Sequence, residues 1–159
     1  MSRRSQITMS DDEVAAFLDE QRTVVCATNG RDGWPHLMPL WYVVGDDGVM
    51  QAWTYARSQK VRNLERDPRA TLQVEAGESY QELGGVMFKC DVEIIRETDR
   101  VAEVGLAIFT RYAGGGDPAN LDDAVREMVA KQASKRVALR FAERERATWD
   151  HRKLGAGVY

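Results

Sequence analysis

A chain of 159 residues is the size of one domain with a real core, and 43% hydrophobic with 30% charged residues fits a water-soluble globular protein. The formal net charge of −3 argues against a general nucleic-acid binder, and no apolar run reaches membrane-span length. Two cysteines are too few for a disulfide scaffold, and with no CxxC pattern or Cys/His cluster they read as reduced core residues of a cytoplasmic protein without a metal.

Residues 1–9 read as a flexible N-terminus, with two arginines but no apolar segment of a signal peptide. Ser10-Asp11-Asp12-Glu13 is a capping box, with Met9 and Val14 placed as its hydrophobic staple. Val14, Phe17 and Leu18 fall on one face, so the spacing predicts a helix over 11–21. The β-branched run Thr23 to Thr28 predicts a strand buried on both faces or nearly so. Asn29 to Gly33 is a turn, Pro35 to Val44 a second strand, Gly45 to Gly48 another turn, and Val49 to Thr54 a third strand. Tight turns between them predict an antiparallel meander.

Pro39 stands in mid-strand and cannot donate to a ladder, which implies an edge, a bulge or an opening. Trp41 and Tyr42 follow at once. Two interpretations are open: a strand whose backbone is freed to touch a flat ligand, or a bulged edge strand with core aromatics.

Trp53 to Leu72 holds the densest chemistry. A short basic helix, with Val61 and Leu64 on one face, follows the third strand and stops at Asp67-Pro68. The first-turn N–H groups of a helix lack internal partners and its dipole is positive there, so a polar turn feeding a basic helix start is an anion site. Thr54 and Ser58 add hydroxyls; Arg57, Lys60 and Arg62 add charge. The alternative is a solvated basic helix. No glycine-rich loop precedes Lys60, so this is not a Walker motif.

Ala70 to Ala76 predicts a fourth strand, and Gly77 to Gly85 a polar connection. Val86 to Ile94 alternates, with Val86, Phe88, Cys90, Val92 and Ile94 inward. Thr98 or Asp99 is placed to cap a helix carrying Val101, Val104, Ile108 and Tyr112. The glycine triplet at 114–116 reads as a helix–helix connection. Asn120 is placed to cap a second helix with Leu121, Ala124, Val125, Met128 and Val129 on one face. Arg136 to Glu143 predicts the last strand, and 147–159 an aromatic and basic tail. His36 and His151 read as structural or surface residues. No triad, nucleophile elbow or metal-ligand spacing is present, so any redox chemistry would fall to a cofactor.

The order of helix, antiparallel strands, Trp53-Thr54, Ser58-Gln59-Lys60 and Asn63 to Leu72 resembles the split β-barrel flavin and deazaflavin oxidoreductases, the superfamily of pyridoxamine phosphate oxidase. The run Pro35 to Trp41 resembles its small actinobacterial branch that uses the deazaflavin coenzyme F420. The likeness spans about residues 11–98 and resumes over 136–154. It implies a mainly β, α+β fold: one six-stranded antiparallel split β-barrel domain over 1–159 with flanking helices, in which 99–133 is a helical insertion. It implies a phosphate grip at Thr54, Ser58 and Lys60, with Arg57, Gln59, Arg62 and Trp53 nearby, and cofactor ring contacts at Met38, Pro39 and Leu40. It implies a homodimer with cofactors at the subunit interface, where the Trp149 tail would complete the partner's site, and no nucleic-acid or membrane partner. The expected function is F420-dependent reduction of a conjugated electrophilic small molecule such as a quinone, bilin or enone. FMN as cofactor and a non-catalytic coenzyme carrier are the alternatives. His36 to Tyr42 lacks the arginine that the phosphate oxidase carries in its second strand, which weighs against FMN.

Overall fold

In the computed structural model, residues 3–114 and 116–155 are described. The helices are α1 (Arg3–Gln6), α2 (Asp11–Glu20), α3 (Gln59–Arg66), α4 (Thr98–Phe109) and α5 (Asp123–Ala133). The strands are β1 (Val24–Asn29), β2 (Pro35–Leu40), β3 (Val43–Val44), β4 (Met50–Tyr55), β5 (Arg69–Ala76), β6 (Gly84–Ile95) and β7 (Arg136–Asp150). They form one antiparallel sheet in the order β2-β1-β5-β6-β7-β4-β3. The split barrel expected from the resemblance is present, with seven strands rather than six, because the second strand divides.

That division closes the barrel. β2 and β3 lie at opposite edges of the sheet, yet only Trp41 and Tyr42 separate them. Three peptide steps reach at most about 11 Å, so the sheet must curl until its edges nearly meet. The expected three-strand meander is therefore wrong: β2 pairs only with β1, and β4 pairs with β7 and the two-residue β3. The reason lies at Tyr42. Its N–H donates to Tyr112 Oη (3.0 Å), and its carbonyl accepts from Tyr112 Oη (2.9 Å) and an Arg111 guanidinium N–H (2.9 Å). With both backbone groups taken by side chains, the ladder cannot run through this residue.

The α2 capping box forms as its sequence predicts, Ser10 N–H donating to Glu13 and Glu13 N–H to Ser10. β1 is less enclosed than expected: Val24, Cys26 and Thr28 are buried while Val25 and Ala27 are half-buried. In β6, Val86, Phe88, Cys90 and Val92 point into the barrel as expected, whereas Ile95 is buried in a second cluster. The last strand does not stop at Glu143. It runs to Asp150, with a bulge in its pairing at Lys89/Cys90, so the start of the expected tail is sheet.

Neither expected cap of the insertion holds. Glu97 precedes α4 without a side-chain cap bond, and Asp122, not Asn120, caps α5 by accepting from Val125 N–H (2.8 Å). On α5, Val129 and Ala133 are buried, whereas Ala124 and Met128 are exposed.

The chain thus has two cores. One fills the barrel, from Phe17 and Leu18 of α2 to Leu72, Phe88, Leu139 and Phe141. The other lies between the outer wall of β4 and β7 and the insertion, and contains Ile95, Val101, Val104, Ile108, Ala133 and Ala138.

Candidate functional site

Alternation along β4 places Thr54 inward and Trp53 and Tyr55 outward. After a turn in which Ser58 N–H donates to the Tyr55 carbonyl (3.0 Å), α3 begins at Gln59. Its face bearing Lys60, Val61, Asn63 and Leu64 is buried. Lys60 is the decisive residue. It is only 6% exposed, and its ammonium donates to Thr54 Oγ1 (3.1 Å). No carboxylate pairs with it among the described residues. Burial accordingly holds its pKa below the usual lysine value. An ammonium has three donors, and one bond leaves the charge uncompensated.

Beside it in sequence, Ser58 Oγ is buried and has no hydrogen-bond partner, nor does it cap α3. Asn63 does not compete for an anion. It donates to Thr28 Oγ1 (3.0 Å) and accepts from Gln59 Nε2 (2.9 Å). Arg57 and Arg62 are exposed. The basic segment is thus half solvated face and half buried cation, with the buried half at Lys60.

Pro39 sits on an edge strand, opposite Val25, one of the interpretations open from the sequence. The β1–β2 register sets Leu40, Met38 and His36 opposite the buried Val24, Cys26 and Thr28, so these three share the inner face. His36 Nδ1 is buried without a partner. Desolvation pushes the Cys26 thiol up to about 11 and Cys90 up to about 12, so neither is a thiolate nucleophile at neutral pH. His151 is held in place, with Nδ1 2.8 Å from the Tyr80 carbonyl oxygen.

A cavity of about 620 Å³ opens where β2 ends, beneath the insertion. It gathers Pro39, Leu40, Trp53 and Thr54 of the expected site, and adds Trp41 and Arg136. Met38, Arg57, Ser58, Gln59, Lys60 and Arg62 do not line it. Thr54 joins the two places, bordering the cavity and accepting from Lys60. Sequence reasoning missed Arg136 and the insertion's share of the wall, Ile108, Phe109 and Met128. No local pattern marks them, because helices far along the chain bring them to β4. Among the described residues, no cluster of His, Cys, Asp and Glu could hold a metal, and no helix is long and apolar enough to cross a membrane.

Within its own chain, the start of the tail packs on the barrel. The Trp149 ring lies directly on Gly85 of its own chain, where an added Cβ would come within 2.2 Å of it. Residues 156–159 lie outside the described residues.

Comparison with known proteins adds the lineage. The chain is similar over its whole length to the conserved hypothetical protein Rv2991 from Mycobacterium tuberculosis, with 40% identity, TM-score 0.88 and 96% of that chain covered. An F420 reductase has a similar fold, with TM-score 0.61 and 19% identity over 83% of this chain and 94% of that one. A FAD-binding protein from Mesorhizobium loti does too, with TM-score 0.62 and 18% identity over 89% of this chain and 94% of that one. No curated protein matches. The family model for pyridoxamine 5'-phosphate oxidase matches residues 10–145, and the chain belongs to that family, within the split β-barrel flavin and deazaflavin superfamily.

Proposed function

We propose that this protein is a dimeric, cytoplasmic F420-dependent reductase acting on a conjugated electrophilic small molecule. The observation that carries this is the buried Lys60 ammonium, which has no carboxylate partner, follows the unpartnered Ser58 hydroxyl and is joined through Thr54 to an aromatic-walled cavity. A phosphate oxyanion supplies what these donors lack. Lys60, Ser58 and Thr54 would hold the cofactor phosphate, with Arg57, Gln59 and Arg62 at its rim. Met38, Pro39 and Leu40 would meet the ring, where Pro39 removes one N–H from the edge, and Trp53 would wall it. The bound reduced deazaflavin supplies a hydride to the electrophile. The chain's own part is to orient, to exclude water with Trp41, Trp53, Ile108 and Phe109, and to anchor the anion.

One observation favours the deazaflavin over FMN: no arginine stands in His36 to Tyr42. Titration of the purified chain should give tighter binding of F420 than of FMN; FMN binding at least as tight would overturn the assignment. Loss of reduced-coenzyme absorbance on adding menadione separates a reductase from a carrier.

The dimer is supported by β2. This edge strand and its flanks expose Trp34 (77%), Leu37 (57%) and Trp41 (58%), an apolar patch beside an unpaired sheet edge. Leu37→Glu should therefore halve the sedimenting mass of the protein; an unchanged mass would place the interface elsewhere.

A further inference from the structure

The cavity beneath the insertion has a charge pattern that the phosphate grip does not explain. Tyr55 pairs with Arg136 across β4 and β7, and residues directly opposite share a face. Trp53, two positions along, shares it too. The Arg136 guanidinium sits 4.2 Å from the Tyr55 ring centroid and 4.5 Å from that of Trp53. Contact with two ring faces holds the cation in place without spending its N–H donors. Its Nε is buried and has no hydrogen-bond partner.

The other arginines of β7 behave differently. Arg140 pairs with Asp47 (2.5 Å), Arg144 with Asp91, and Arg146 with both Glu143 (2.6 Å) and Asp11 (3.0 Å). Arg136 has no acidic partner among the described residues, and no acidic residue lines the cavity. The remaining polar side chains of the wall, Thr23, Thr54 and Gln132, are neutral. The space of about 620 Å³ is within the range of small-molecule sites. Its far wall is supplied by the insertion. Gly105 of α4 lies so close to Trp53 that an added Cβ would be 2.5 Å from the indole, so this glycine lets the helix cover the ring.

We infer that the cavity between β4, β7 and the helical insertion binds a flat aromatic or conjugated molecule carrying an acidic group, and that Arg136 recognises the acid. This deepens the proposed reductase function by naming the substrate class as a conjugated anion. Arg136 is the specificity residue, and Trp41, Trp53 and Met128 give the apolar walls. A guanidinium held by two rings and free of any acidic partner has paired N–H groups to offer a carboxylate or sulfonate, which an ammonium cannot match.

The test uses the full chain and two fluorescent probes of similar shape: anilinonaphthalene sulfonate, which is anionic, and N-phenyl-1-naphthylamine, which is neutral. Arg136→Gln should weaken the anionic probe roughly ten- to a hundredfold and change the neutral one less than about twofold. Arg136→Lys should fall between. Met128→Trp, at an exposed position of the wall, should weaken both by filling the cavity. Equal loss of both probes in Arg136→Gln, or no loss of either in Met128→Trp, would overturn the assignment. F420 affinity should be unchanged in Arg136→Gln; a parallel loss would make Arg136 part of the cofactor grip and overturn the substrate role. Failure of wild-type protein to bind F420, with the probe results intact, would instead overturn the coenzyme and leave this site standing.

Discussion

The inside and the outside of the barrel wall solve opposite problems with the same two strands. Inside, Thr54 of β4 meets Lys60 of α3, a cation buried without a counter-charge. Outside, Arg136 of β7 is held between Trp53 and Tyr55 of β4 and is equally without an acid. The inner group is compact and local, spanning residues 54 to 63. The outer one needs β2, β4, α4, α5 and β7 to meet. The insertion is thus a structural member of the molecule. It covers the outer wall with a core of its own and fastens the chain where the barrel edges nearly meet.

The fastening gives the largest expected effect. Arg111, in the π-helical turn Thr110–Gly114 after α4, donates to the carbonyls of Leu18 (2.7 Å), Asp19 (3.0 Å), Gln21 (2.8 Å) and Tyr42 (2.9 Å) and lies 4.6 Å over the Tyr42 ring. Bonds to a charged donor contribute about 1.5–3 kcal/mol each, but the exposed carbonyls will recover water, so Arg111→Ala should cost roughly 2–4 kcal/mol in total. Urea denaturation measures it. A loss below about 0.5 kcal/mol would show that the crossover holds itself and that the insertion is an ornament on a self-sufficient barrel.

Lys60→Met separates the two regions. Removing a buried, uncompensated cation should leave thermal stability unchanged or slightly raised, while F420 affinity falls roughly ten- to a hundredfold. Binding of the anionic probe at Arg136 should not change. The pH dependence follows from the same burial. The folded pKa of Lys60 lies below its ordinary 10.5, so between the two values the unfolded chain holds more protons than the folded one. The contribution of this group to folding stability therefore rises as pH increases through the folded value. Coenzyme affinity falls over that window, because the neutral amine no longer attracts an oxyanion. Affinity rising toward alkaline pH would mean that Lys60 does not face the anion.

Gly105→Ala is the smallest and most selective change. Its Cβ would overlap Trp53, and overpacking costs typically about 1–3 kcal/mol. The indole must shift, so the outer cavity should change its affinity for both naphthalene probes while Lys60 is untouched. Isothermal titration with F420 should then show a smaller loss than that of Lys60→Met, because the phosphate grip is untouched although Trp53 also walls the ring. A loss as large as that of Lys60→Met would mean that the two regions are one site.

Features whose causes lie within a turn or two of the chain were legible from composition and spacing. The capping box at Ser10–Glu13 depends on residues three apart, and the apolar face of α3 on the spacing of Val61 and Leu64. Alternation in β6 told inside from outside, because side-chain direction follows from the backbone itself. Resemblance supplied the barrel and the expectation of a phosphate grip at Thr54, Ser58 and Lys60. Strand partners were not legible, since pairing is a choice among distant segments: Pro39 announced an edge or an opening, but nothing local said that Trp41 and Tyr42 cross from one edge to the other. The start of α5 shifted because Asp122 lies closer to the first turn than Asn120 and accepts from Val125 N–H, while α4 begins after Glu97 with no side-chain cap. Lys60 could have been a solvated charge, and only tertiary packing removed its water. Arg136 acquired its meaning in the same way: whether an arginine is paired or left facing a cavity depends on which side chains the fold brings within a few ångströms, and sequence order does not state that.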